Sequence, residues 1–279
     1  MIAPAVAAPP AAVAAHYDAL DRWYREIWGE HVHHGLFTAG RREDPVAAAG
    51  RLVDRVAELA ALRAGAEVVD VGCGYAATGR QLTAQRAARV VGYTLSEAQA
   101  AYARTQEPAV DVRVQDWNAN DRPDRSADAV VAIESLSHMP DKRRAFAQCA
   151  RVLRPGGRLV VCDWLARTER SAWRDSLLLE PICREGRLPS MHTAPEYAAF
   201  ARDAGLRLLA FEDRSREVSR TWTICLARAA RRLVRDPDLR RYLMDGDSAE
   251  RVFALTMLRI LAAYGTRSMV YGILVAERR

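Results

Sequence analysis

Residues 66–79 read Ala-Glu-Val-Val-Asp-Val-Gly-Cys-Gly-Tyr-Ala-Ala-Thr-Gly, a largely apolar run that closes on Asp70 and Val71 and breaks at Gly72 and Gly74. Such a run reads as a buried strand of a parallel sheet, and the glycines mark its turn into a helix. Glycine has no side chain, so a bound molecule can lie against the backbone at that turn. The spacing Gly72-Cys73-Gly74-Tyr75-Ala76-Ala77 also satisfies a loose dinucleotide fingerprint. Asp70 separates the two readings. Dinucleotide folds keep that position apolar, whereas an acid two residues before the first glycine can face a ligand that carries an ammonium group.

Outward from this turn, apolar strand-like runs alternate with helix-length segments. Strands are expected near Glu67–Val71, Ala88–Tyr93, Val110–Val114, Ala129–Ile133, Arg158–Cys162, Leu206–Glu212 and Met269–Ala276. This order predicts an α/β fold, a Rossmann-like, mostly parallel seven-stranded sheet with helices on both faces and added helical cap segments. Arg154-Pro155-Gly156-Gly157 reads as a turn that ends one helix and feeds the fifth strand. Asp44-Pro45 reads as a cap followed by a first-turn proline. The expected organisation is a disordered Ala- and Pro-rich leader (1–14), an N-terminal helical cap (15–62) and a cofactor-binding core (63–166). Connecting helices and a substrate cap follow (167–205), then the final strands (206–279) with a helical insertion at 214–267. Caps inserted beyond the carboxyl ends of parallel strands would roof a ligand site. Within the last of them, 252–261 is apolar nearly all round and is expected to be buried, in the cap or against another subunit.

Half of the 279 residues are hydrophobic, enough for one core plus an embellishment. No apolar run reaches membrane-spanning length. Five scattered cysteines lack metal-ligand pairing, which suits a reducing cytoplasm and argues against zinc or disulfides. The net charge of +6 comes from arginines spread along helices without interleaved aromatics, so no nucleic-acid partner is expected. Arg228, Arg231, Arg232 and Arg235 read as a charged outer helix face, with no aspartate-rich motif to carry a diphosphate. His31, His33 and His34 lack an accompanying carboxylate motif, so no metal is expected there; one histidine is expected to turn toward an acceptor pocket. Whether the chain forms a homo-oligomer is left open.

Further motifs extend the pattern: His16-Tyr17-Asp18, Ile27-Trp28-Gly29 and His33-His34-Gly35 near the start, then Gly92-Tyr93-Thr94-Leu95-Ser96-Glu97-Ala98-Gln99 and Gln115-Asp116-Trp117. Glu134-Ser135-Leu136-Ser137-His138-Met139-Pro140-Asp141-Lys142 and Arg151-Val152-Leu153-Arg154-Pro155-Gly156-Gly157 follow. With these in place, residues 16–279 resemble the class I S-adenosylmethionine (SAM)-dependent methyltransferases, and among them the γ-tocopherol methyltransferase-like group of small-molecule enzymes. The resemblance implies SAM as cofactor and a hydrophobic small molecule as acceptor. It implies that Asp70 engages the SAM amino group, that Gly72 and Gly74 admit the cofactor, and that Asp116 meets the adenine amino group with Trp117 packed on the base. Two positions depart from the family pattern. The third glycine of the turn is Ala76, and the acid that holds the ribose is Thr94, so Thr94, Ser96 and Gln99 would share that task.

Glu134, Ser137 and His138 follow the fourth strand, where the transferred methyl would point. In geranyl diphosphate C-methyltransferases, which look similar at the Glu-Ser pair, the acid stabilises a cationic carbon and removes a proton. Sugar O-methyltransferases look similar at His138 and pair it with the acid matching Asp163. An alternative assignment makes His138 and Asp141 caps of the next helix. Tyr17, Trp28 and Trp222, with His33 and His34, supply candidate acceptor contacts; the run Tyr17, Trp23, Tyr24 and Trp28 also has the helical spacing of a packed core. The expectation leans to C-methylation of a prenylated or aromatic natural product in secondary metabolism. O-methylation through His138 and Asp163, N-methylation of an amine, and a SAM-binding module without transfer activity are the alternatives. A dinucleotide oxidoreductase is disfavoured by Asp70 and by the missing acid after the second strand.

Overall fold

The computed structural model describes residues 1–4, 9–41, 43–237, 240 and 253–279, without the side chains of residues 10, 20, 22–24, 27, 253 and 254. Trp23 and Tyr24 therefore lie outside the described side chains. The strands are β1 (Glu67–Val71), β2 (Arg89–Thr94), β3 (Asp111–Val114), β4 (Ala127–Ile133), β5 (Leu153–Ala166), β6 (Leu206–Asp213) and β7 (Met269–Arg278). They form one sheet in the order β3-β2-β1-β4-β5-β7-β6. All pairs are parallel except those of β7, which runs antiparallel to both β5 and β6. The reversal at β1 between β2 and β4 opens a crevice at the carboxyl ends of these strands, where such sheets bind ligands.

The central strands are apolar because both faces are covered. Val68 packs with Leu52, Val53 and Val56 of the helix Pro45–Leu59 on one face. Val69 and Val71 pack with Phe146, Cys149 and Tyr197 on the other. Each such buried Val, Leu or Phe side chain contributes about 1.5–3 kcal/mol. Asp44 caps Pro45–Leu59 as expected, accepting the Val46 amide at 3.2 Å. Thr193 and Glu196 form a reciprocal capping box at the start of Ala194–Asp203.

Three expectations need revision. The chain start, expected as a leader, is docked at Ile2: it exchanges two backbone hydrogen bonds with Met191 at 2.7 and 2.8 Å and enters the cap core. One buried apolar side chain outweighs the Ala/Pro composition around it. The turn at Arg154–Gly157 lies inside β5 as an irregularity: Leu153 pairs with Ala127, pairing resumes at Arg158 with Ala129, and Gly156 has φ +76°. In the helix Phe253–Gly265, Met257, Ile260 and Ala263 are buried, while Leu255 and Leu258 are half exposed. Residues 255–261 are thus two-faced, and Val252 lies outside the described residues.

The cap has its own core, in which Leu179, Ile182 and Met191 meet Trp222, Cys225, Met257 and Ile260. It rises from the helices Glu180–Glu185, Arg220–Arg235 and Phe253–Gly265. On the outer face of Arg220–Arg235, Arg232 pairs with Glu26 and Asp236 at 2.6 and 3.1 Å. No helix among the described residues is long and apolar enough to cross a membrane.

Candidate active site

After β1 the backbone turns through left-handed conformations at Gly72, Gly74 and Ala76, with φ of +73°, +53° and +58°. A Cβ on Gly72 would stand 2.3 Å from the Ser135 Cβ, so only glycine fits where this turn meets the end of β4. Ala76 takes up the left-handed residue before the helix Ala77–Arg86, a conformation that costs an L-residue about 1 kcal/mol. Beneath the turn sits Asp70, 2% exposed, with Oδ2 bonded to nothing. Burial alone pushes its carboxyl up to about 7. A buried carboxylate without a partner is costly, and an ammonium group is its natural complement. The Tyr93 hydroxyl, which lines the cleft above, is likewise buried and unpartnered. Asp70 lies below the residues that line the cleft, and its unpartnered oxygen fits the ammonium of SAM.

Gly72, Gly74, Thr94, Ser96, Gln99, Asp116 and Trp117 all line this one cleft. Thr94 Oγ1 donates to Gln99 Oε1 at 3.0 Å and accepts the Ser96 amide at 3.2 Å, while Ser96 Oγ accepts the Gln99 amide at 3.1 Å. The three residues thereby form one rigid unit at the end of β2. Asp116 caps the short turn Trp117–Ala119, accepting the Asn118 amide at 2.9 Å. Trp117 belongs equally to the core: its indole donates to the Ala145 carbonyl at 3.3 Å, and its ring packs edge-on against Tyr93. The helix Pro10–Ile27 closes over this side. Asp18 accepts from Ser96 Oγ and from the Ala98 amide, and Asp21 accepts the Tyr75 hydroxyl at 2.8 Å.

A second cavity, about 60 Å³, adjoins the cleft and is bounded by Trp28, Trp164, Leu188, Trp222, Thr256 and Ile260. Tyr17, Val32, Glu134 and His138 line both cavities and form the neck between them. Glu134 has φ +54°, an uncommon strain for a non-glycine residue and one that gathers at functional sites. Its carboxylate accepts four hydrogen bonds. Oε1 takes the His34 amide at 2.7 Å, the Tyr271 hydroxyl at 2.8 Å and His34 Nδ1 at 2.9 Å, and Oε2 takes the Trp164 indole at 3.0 Å. Burial would raise this carboxyl, but the His34 ring and amide, with His33 behind them, outweigh it and hold it down at about 2. The Trp222 indole donates to His34 Nε2 at 2.6 Å. An indole N–H is only a donor, so Nε2 receives it and the Nδ1 proton points to Glu134.

His138 ends the short 3₁₀ turn Leu136–His138. Its Nε2 lies 3.0 Å from the Tyr17 hydroxyl and its Nδ1 lies 3.4 Å from the Arg187 carbonyl. The carbonyl can only accept, so Nδ1 carries the proton and Nε2 presents its lone pair to the neck. Burial, then the neighbouring His16, push the imidazole down to about 4, which leaves it neutral. The alternative assignment as a helix cap falls to Asp141 alone, which accepts the Arg144 amide at 2.8 Å.

The structure does not bring every expected residue to this neck. Asp163 hydrogen-bonds Tyr197 at 2.7 Å and its neighbour's amide, Trp164 N, at 2.9 Å, and lines neither cavity. Burial raises it to about 6. The pairing of His138 with Asp163 is replaced by that of His138 with the Arg187 carbonyl. His33 bonds His31 at 3.1 Å and the His34 carbonyl at 2.8 Å, and it also lines neither cavity. His34 lines neither cavity either; expected as an acceptor contact, it instead buttresses Glu134 from behind. The arrangement adds Asp18, Val32, Tyr271 and Tyr264, the last with its hydroxyl 3.3 Å from His34 Nε2. Asp18 stands in a motif quoted above; the other three carry no local signal.

Comparison with known proteins agrees with this geometry. The family described as Methyltransferase domain matches residues 69–161, from β1 into β5. A 27-O-demethylrifamycin SV methyltransferase of Amycolatopsis mediterranei is 33% identical over 278 residues, covering 96% of this chain and 97% of that protein. A chloroplastic tocopherol O-methyltransferase of Arabidopsis thaliana is 30% identical over 237 residues, 75% of this chain and 67% of that one. Among solved structures, the (4+2) cyclase SpnF superposes with a TM-score of 0.79 at 26% identity, over 100% of this chain and 99% of that one. The orphaned acid under a glycine turn, the two-chambered site and these relatives lead to one conclusion: the chain belongs to the class I SAM-dependent methyltransferases that act on small molecules.

Proposed function

We propose that this enzyme methylates a hydroxyl oxygen of a hydrophobic small molecule, with His138 as general base. The observation that carries the reading is the His138 lone pair at the neck, 3.0 Å from the Tyr17 hydroxyl. That phenol stands where an acceptor hydroxyl must stand to be deprotonated. When bound, SAM supplies an electrophilic methyl on its sulfonium. Asp70 would hold its amino group, Thr94, Ser96 and Gln99 the ribose side, and Asp116 and Trp117 the adenine. An acceptor hydroxyl that displaced Tyr17 would stand against Nε2 and could give it its proton. The Arg187 carbonyl supports the imidazolium from the Nδ1 side. Trp28, Trp164 and Trp222 exclude water and grip the apolar body. Ligand sites for drug-sized molecules measure about 300–1,000 Å³. A cavity of about 60 Å³ therefore admits the hydroxyl-bearing end, with the remainder reached by parting of the cap helices. Relatives named for O-methylation point the same way. The buried free thiols support a reducing, cytoplasmic setting.

C-methylation is the second reading, favoured by the ionised Glu134 beside aromatic faces, which would stabilise a cationic carbon. It stands second because four donors already occupy that carboxylate. The test uses methyl-labelled SAM with phenols, prenylated quinols and indoles, and hydroxylated macrocycles, and locates the label by NMR. Label on oxygen is expected, with His138→Gln lowering kcat by about 10²–10⁴-fold and leaving SAM affinity within about threefold. Label on carbon, or wild-type turnover in the variant, overturns the reading. SAM binding without any transfer would favour a module that uses the site otherwise.

A further inference from the structure

Lys142 opens the helix Lys142–Val152 and is 2% exposed. It stands at the N-terminal, positive end of the helix, so the dipole gives this ammonium no support. Burying an ammonium is costly unless every N–H finds an acceptor. Here each does: Nζ lies 3.1 Å from the Ser137 carbonyl, 3.1 Å from the Met139 carbonyl and 3.1 Å from Ser190 Oγ.

These acceptors are not scattered. Ser137 and Met139 flank His138 on either side, and Ser190 stands three residues beyond Arg187, whose carbonyl faces His138 Nδ1. One ammonium thus ties the turn that carries the imidazole to the cap segment that orients it. Asp163 is the nearby counter-charge, itself held by Tyr197. This gives Asp163 a place in the site without contact with His138.

We propose that Lys142 is a positioning residue, which fixes the tautomer and ring orientation of His138 by clamping the turn 137–139 to the segment 187–190. The proposal rests on the reading of His138 as base, and its test does not use methyl transfer. The full chain is labelled with ¹⁵N-histidine, saturated with S-adenosylhomocysteine and observed by NMR at pH 7, with His138→Gln identifying the His138 signals. In the wild type, His138 should show the pattern of a single Nδ1–H tautomer. Lys142→Met should lose it for a mixture of tautomers, with S-adenosylhomocysteine affinity within about threefold, since Lys142 does not line the cofactor cleft. Ser190→Ala, which removes one tie of three, should move the same signals by less. A general loss of stability would lower the melting temperature without changing the tautomer. The proposal is overturned if folded Lys142→Met keeps the wild-type His138 pattern, or, should that variant not fold, if Ser190→Ala keeps it. If His138→Gln retains turnover, the base reading fails while the clamp is still decided by the spectra.

Discussion

In the cleft beyond the glycine turn, Gly72, Gly74, Thr94, Ser96 and Gln99 come from one short stretch, with Asp116, Trp117 and the helix Pro10–Ile27 added around them, whereas the second cavity collects His16, Trp28, His138, Trp164, Trp222 and Ile260 from residues 16–260. In the first region a strand, a turn and a helix start place the groups, and Thr94, Ser96 and Gln99 bond one another, with Asp18 reaching them from the first helix. In the second, the decisive bonds join Tyr17 to His138 and His34 to Glu134, 121 and 100 residues apart. The first is built by local conformation with one acid left unpaired. The second is built by packing, with its acid fully paired. Asp70 and Glu134 are both buried carboxylates, yet burial drives the first up to about 7, while the second, against the same burial, is held at about 2 by the nearby His34 ring, by the hydrogen bonds His34 donates and by His33.

The sharpest attack on this contrast is Asp70→Asn. SAM affinity should fall by about 100-fold or more by calorimetry, because the ammonium loses its one buried counter-charge. The unliganded protein should become more stable. A folded-state pKa raised from 3.8 to about 7 means that ionisation penalises the fold, by nothing below the ordinary value and in full above about 7. Urea melts should therefore show Asp70→Asn ahead by about 2–4 kcal/mol at pH 7.5, with the advantage vanishing near pH 4. Equal stability at both pH values would mean that Asp70 already has a partner.

Glu134→Gln should act in the opposite sense. The amide cannot accept from all four donors, so stability should drop by about 2–4 kcal/mol at pH 7. The depressed pKa makes Glu134 stabilising above about 4.5 and progressively less so as pH falls toward about 2. The gap between wild type and variant should accordingly close in acid. A constant gap would show that shape rather than charge is lost. Ala76→Gly should do least. Relief of the left-handed alanine is offset by the entropy and the methyl packing that glycine gives up, so melts should agree within about 1 kcal/mol and SAM affinity within about twofold.

Much of this was readable in advance where the cause is local. The seven strands, the cap at Asp44 and the turn after β1 follow from apolar runs and from residues with special backbone freedom. Ala76 departs from the family's glycine at a position with φ of +58°, so the structure shows why glycine is usual there and gives no reason for the alanine. Glu134 and His138 were picked out by motif. Their division of labour was not, because a carboxylate free to assist and one saturated by four donors look identical in sequence. Only resemblance pairs Asp163 with His138, and Lys142, the last residue of a quoted motif, carries no local sign of burial because lysines usually face solvent.

By itself, then, the sequence determined the sheet, the glycine turn with its acid, and membership in a family that uses SAM, since strand periodicity and turn chemistry act over a few neighbouring residues. Only the tertiary structure decided which histidine faces Glu134, that Tyr17 meets the His138 lone pair, and that Asp163 stands by Lys142. Those outcomes depend on which side chains become neighbours when the cap helices close over the sheet, and on which donors and acceptors burial then forces to pair.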